Sequence, residues 1–140
     1  PGYRELQELR PFVGPAGRLL DELLIEAGLV RSQVTIANAC NCVDLEREDR
    51  RPLPAELDAC RPRLLAEIAE INPKVIVITG GVPSQMFYET AKVGSVQGML
   101  RSWNGRAVLA VYHPAHVLRG NHDARASILA GLRLAASLLK

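Results

Sequence analysis

Seven consecutive residues, His113-Pro114-Ala115-His116-Val117-Leu118-Arg119, set an imidazole, a rigid turn, an apolar pair and a guanidinium side by side. An imidazole can hold or pass a proton near neutral pH, and the planar fork of arginine grips phosphate through two hydrogen bonds at once. Taken alone, His113 reads rather as a structural turn residue than as a catalytic one. Two other polar positions join it: Asn38, whose amide both donates and accepts, and the pair Gly80-Gly81. Phe12, one of two phenylalanines, lies in Pro11-Phe12-Val13-Gly14-Pro15-Ala16-Gly17, between rigid and small residues. It serves there either as a core plug or as a flat platform for a planar ligand. The three cysteines, Cys40, Cys42 and Cys60, are odd in number and read as reduced thiols or metal ligands, not as a disulfide framework.

These residues need elements to hold them. Leu19, Leu20, Leu23, Leu24 and Ala27 recur at helical spacing, so a helix is predicted over residues 15 to 29, with Pro15 in its first turn and Gly28 at its exit. Val34-Thr35-Ile36-Ala37-Asn38 reads as a buried strand with Asn38 at its end. Residues 43 to 53 are charged and proline-flanked, an exposed loop; helical spacing returns from about Pro54 to Ile71. Val75-Ile76-Val77-Ile78 is a continuous apolar run ending in Thr79-Gly80-Gly81, as for a central parallel strand covered on both faces. A short helix follows over Ser84 to Glu89, then an irregular stretch over Gly94 to Gly105. A third strand covers Ala107 to Val111, and a closing helix runs from about His122 to Leu139. Alternating helices and strands predict an α/β fold, a three-layer α/β/α sandwich on a mostly parallel sheet. Ligands of such folds sit at the carboxyl ends of strands, where Asn38, Gly80-Gly81 and His113 all fall.

At 140 residues and 15.3 kDa, with 48% hydrophobic residues, the chain fits one domain, residues 1–140, with a real core. The net charge of +2 neither favours nor excludes nucleic acid. The positive charge is mostly arginine, however, including Arg101, Arg106, Arg119 and Arg125. No apolar run approaches the roughly 20 residues of a membrane helix and no leader opens the chain, so a monomeric cytoplasmic protein without membrane contact is expected.

Several of these stretches, taken in order, resemble the family-4 uracil-DNA glycosylases, which carry an iron–sulfur cluster. The matching residues are Pro1-Gly2, Glu5, Pro11 to Gly17, Val34 to Asn38, Cys42, Cys60-Arg61-Pro62, Pro73 to Val77, Tyr112-His113-Pro114-Ala115 and Leu118-Arg119. The likeness spans nearly the whole chain, and its order and spacing are more specific than any one element. It implies an enzyme that flips uracil out of single- or double-stranded DNA and hydrolyses its glycosidic bond, leaving an abasic site near the nucleoid.

The resemblance assigns roles by position. Phe12 matches the aromatic on which uracil stacks, and Asn38 the amide that accepts from uracil N3–H and donates to O4, rejecting cytosine by about 1–3 kcal/mol per mispaired group. His113 matches the donor to uracil O2, where negative charge develops as the bond breaks. Val117 and Leu118 match the apolar wedge, Arg119 a phosphate clamp, and Gly80 and Ser84 a glycine-rich phosphate contact. Cys42 and Cys60 match two of the four thiolates of a [4Fe–4S] cluster, with Cys40 extra.

Two departures accompany the match. The family's opening motif reads Gly-Glu-small-Pro-Gly, and this chain starts at its Pro-Gly. The domain is therefore expected to lack its N-terminal strand and first acidic residue, leaving Glu5 as the acidic candidate and lowering the rate. The first cysteine pair, a Cys-x-x-Cys, would also lie upstream. The alternative reading is a catalytically impaired DNA-binding domain of the same fold within a larger replication or repair protein. A nucleotide- or phosphate-binding α/β protein explains the strand ends but not Phe12, Asn38 and His113 together.

Overall fold

The computed structural model describes residues 12–40, 52–90 and 92–140. Helix α1, Pro15–Glu26, starts on a proline whose missing N–H costs a first turn nothing, and it buries a stripe of Gly17, Leu20, Leu23 and Leu24. It closes through Ala27 and Gly28, whose φ of 87° is left-handed. A single 3₁₀ turn follows at Arg31–Gln33. Helix α2, Pro54–Ile71, matches the predicted span and ends on a left-handed Asn72, with Pro62 inside it. Then come β1 (Val75–Thr79), α3 (Gly81–Phe87), α4 (Val93–Val96), β2 (Leu100–Trp103), β3 (Arg106–Val111), α5 (Pro114–Leu118) and α6 (Asp123–Leu138).

Among the described residues the sheet has three strands in the order β1-β3-β2. β1 runs parallel to β3, with Val77 opposite Leu109, while β2 is antiparallel to β3, with Arg101 opposite Val108. Three expectations are corrected here. Among the described residues Val34 to Asn38 forms no ladder, and Val34 and Ile36 pack against the α1/α6 cluster. Among the described residues the central strand is β3, not β1: β3 carries a fully buried run, Val108 to Val111, and pairs on both edges. The stretch from Gly94 to Gly105, expected to be irregular, contains α4 and β2; β2 is mostly exposed, so it lacks the apolar alternation that would reveal it. The sheet is therefore mixed.

Alternation along the strands divides the core. Ile76, Ile78, Val108 and Ala110 face a cluster with Leu64 and Ile68 of α2, Phe87 of α3, and Val93 and Val96 of α4. Val77 and Val111 face the opposite cluster, built from Leu20, Leu23 and Leu24 of α1, Val117 of α5, and Ala124, Ile128 and Leu132 of α6. Helix α6 lies close on β3 at Gly131, where a Cβ would stand 2.4 Å from Val111 Cγ1. An ion pair from Arg125 on α6 to Glu26 on α1 straps the second layer, with both oxygens engaged at 2.5 and 3.3 Å. Among the described residues no helix is long and apolar enough to cross a membrane.

Candidate functional site

β3 delivers the chain to Tyr112 and His113 at its carboxyl end. Pro114 then starts α5, and His113 caps it: Nδ1 accepts from the Ala115 N–H at 3.0 Å. That bond decides the tautomer. A neutral His113 whose Nδ1 accepts must carry its proton on Nε2, which therefore points away from the helix as a donor. Gly80, at the end of β1, makes room for this ring. Its φ is 85°, and a Cβ there would stand 3.1 Å from His113 Cβ.

Phe12 stacks on His113, with ring centroids 5.1 Å apart and planes 20° from parallel. The platform is held from behind. Phe12 adopts a left-handed φ of 54°, its carbonyl accepts from the Arg31 guanidinium, and a Cβ on Gly17 would stand 1.8 Å from that same carbonyl oxygen. Arg31 is further steadied by Asp21 at 3.4 Å. Arg31 was not singled out from sequence; it lies 19 residues from Phe12, and no local pattern connects them.

Asn38 is half-buried, and its backbone carbonyl accepts from Arg63 Nη2 on α2 at 2.8 Å. Its amide makes no hydrogen bond among the described residues. Beyond His113, Tyr112 stacks on His116 at 5.1 Å and 10°. Asn121 fixes the second imidazole: its Oδ1 accepts from the Ala124 N–H at 3.3 Å, so its Nδ2 donates to His116 Nε2 at 2.9 Å. Sequence reading named His116 but assigned it no chemistry.

The apolar pair separates. Val117 is only 8% exposed and belongs to the α1/α6 core, so its assignment to a wedge is corrected; Leu118 is 54% exposed. Ser84 is fully buried, which turns its hydroxyl away from any phosphate. The Gly80 N–H is committed to the Val111 carbonyl at 3.0 Å, so this glycine admits the His113 ring instead of cradling phosphate. The arginines separate too. Arg101 donates to the Phe87 carbonyl, Arg106 donates to Asn72 and lies over Trp103, and Arg125 pairs with Glu26. Arg119 is exposed and makes no side-chain hydrogen bond or ion pair among the described residues.

Glu5 and Cys42 lie outside the described residues. Cys60, on α2, is buried beside Cys40, their sulfurs 3.5 Å apart. Two buried thiols at this separation, in a pocket completed by Leu57, Val82 and Met86, have the donor type and proximity that thiolate ligation of iron requires. Among the described residues, no group of three or more His, Cys, Asp or Glu side chains is gathered to hold a metal.

Comparison with known proteins bears on this geometry. A family model described as "Uracil DNA glycosylase superfamily" matches residues 1–133. A "Type-4 uracil-DNA glycosylase" of Thermotoga maritima is 39% identical over 144 aligned positions, covering all of this chain and 74% of that protein. Proteins of the same name from Archaeoglobus fulgidus and Pyrobaculum aerophilum are each 35% identical, over 84% and 85% of this chain. The chain spans 74% of the length of the first relative but only 63% and 64% of the other two.

Proposed function

This chain belongs to the uracil DNA glycosylase superfamily, with type-4 uracil-DNA glycosylases among its relatives; from that premise we propose that it excises uracil from DNA in base-excision repair. The reaction is hydrolysis of the N-glycosidic bond. The observation that carries the proposal is the Phe12–His113 ring pair with His113 Nδ1 committed to the backbone.

The two centroids stand 5.1 Å apart, whereas stacked planes keep about 3.4 Å, so the imidazole covers Phe12 off-centre. A uracil lying in the plane of the imidazole would cover the rest of that face. It would then receive the Nε2–H in its own plane at O2. As the N1–C1′ bond breaks, its electron pair goes to the base, and this donor stabilises the charge that gathers on O2. Water adds its oxygen to C1′ and gives up a proton, and Glu5 is the residue we assign to orient it. Asn38 reads N3–H and O4, Leu118 fills the space the flipped base leaves, and Arg119 holds a flanking phosphate.

The helical clusters on opposite faces of β1 and β3 support a three-layer α/β/α reading. Cys42 and Cys60 are the residues we assign to an iron–sulfur cluster, which when bound would tie Cys42 to α2. We take the protein to act as a monomer, on single- or double-stranded DNA.

The test is incubation with single- and double-stranded oligonucleotides carrying one uracil, then alkali to reveal abasic sites. Strand cleavage at the uracil is expected, together with its loss in Asn38→Asp and its absence from cytosine controls. Uracil-specific binding without cleavage would overturn turnover and leave a DNA-binding domain; no preference for uracil in either measurement would overturn the whole reading.

A further inference from the structure

The family resemblance names Cys60 and Cys42 but gives no role to Cys40, whose sulfur lies 3.5 Å from that of Cys60 and which is 4% exposed. This separation is far from the roughly 2.05 Å of a disulfide. Two thiolates on one tetrahedral metal, each at about 2.3 Å, stand about 3.8 Å apart. The arrangement is built from both sides. Leu57 and Cys60 share one face of α2, against Val82 and Met86, and close an apolar wall around the pair. Three residues beyond Cys60, Arg63 donates to the carbonyls of Asn38 at 2.8 Å and Ala39 at 3.4 Å while bonding Glu67 at 2.9 Å. That clamp fastens the backbone leading into Cys40 to the helix that carries Cys60.

We propose that Cys40 is a metal-ligating thiolate that shares a soft-metal centre with Cys60, a role the family pattern gives to neither Cys40 nor this pair. Binding converts both thiols to thiolates and releases two protons for each metal bound by the pair. The proposal adds Cys40 to the thiols assigned to the cluster above. Its readout needs no uracil, so either can fail without the other.

The probe is Co²⁺ added to the reduced, metal-free chain under anaerobic conditions, followed by its thiolate-to-metal charge-transfer absorbance. Cys40→Ser and Cys60→Ser are each expected to reduce that absorbance and weaken Co²⁺ affinity by at least the roughly 10–100-fold that loss of an outer-shell partner costs. Unchanged absorbance and affinity in Cys40→Ser would overturn the proposal. Because a serine in this pocket can disturb folding, a second measurement uses the unsubstituted chain. Thiols are alkylated in a urea concentration at which the metal-free chain reacts, with and without Co²⁺, and peptides are weighed. Joint protection of Cys40 and Cys60 by the metal supports the pair. Protection of Cys60 without Cys40, or a Cys40–Cys60 disulfide in air with no Co²⁺ binding in the reduced chain, overturns it.

Discussion

At His113 one nitrogen serves the fold and the other is the one we assign to the reaction. Nδ1 caps α5 by accepting from Ala115, which leaves Nε2 as the donor. Substitution can separate the two tasks. His113→Asn keeps a short acceptor for the Ala115 N–H but withdraws the donor. Uracil release should therefore fall by about 10²–10³-fold, as when one donor to a developing oxyanion is removed, while the thermal midpoint stays close to that of the parent. His113→Ala should show the same loss of rate together with the roughly 1 kcal/mol cost of a lost cap, measured by urea unfolding. Equal rates in His113→Asn and the parent would remove His113 from the leaving-group side. Behind the ring pair, Gly17→Ala would place a Cβ against the Phe12 carbonyl, 1.8 Å from its oxygen as the structure stands. Backbone must move, so the substitution should lower both stability, by about 1–3 kcal/mol, and uracil binding.

The short helix α5 shows how an element sorts neighbouring side chains. Five residues make little more than one turn, so Val117 and Leu118 point about 100° apart, one into the α1/α6 cluster and one outward. Val117→Ala should cost about 1–3 kcal/mol in urea unfolding, as core truncations do. Leu118→Ala should leave stability within about 0.5 kcal/mol and reduce cleavage of duplex substrate more than of single-stranded substrate, because only the duplex must be opened. Equal loss on both substrates would remove Leu118 from the wedge. The helical spans were legible in the sequence because a 3.6-residue apolar period survives without its partner. The region from Val34 to Asn38 misled for the complementary reason: β-branched residues favour extended backbone, but a ladder needs a neighbouring strand, and that neighbour is not encoded locally.

Across the molecule, two clusters of helical side chains pack against one small sheet. The Glu26–Arg125 pair joins residues 99 apart and holds α1 to α6 on the face nearest Phe12. The hydrogen bond from Arg125 holds the Glu26 carboxyl below its ordinary pKa. The folded state thus binds this proton less readily than the unfolded chain does. The stabilisation is present above the unfolded carboxylate pKa and is lost as pH falls through the lowered folded value. Glu26→Gln should therefore unfold more readily than the parent at neutral pH, with the difference shrinking as acid titrates the pair. Both side chains are partly exposed, so the effect should be small and reduced by salt, as urea midpoints across pH and ionic strength would read. A difference that stays constant down to strong acid would overturn the assignment.

The long helix spans, the β1 and β3 runs and the family itself were determined by the sequence, because periodicity, side-chain type and order along the chain are local or one-dimensional properties. Which strand is central, the His113 tautomer, the burial of Ser84 and Val117, and the use of the Gly80 N–H were decided only by the tertiary structure. So were the partners of Arg101, Arg106 and Arg125, and the approach of Cys40 to Cys60. Each depends on which distant residue arrives alongside, as Arg31 does at Phe12 and Arg63 at Asn38. Burial and hydrogen-bond partnership are properties of pairs brought together by folding, and a lone side chain does not carry them.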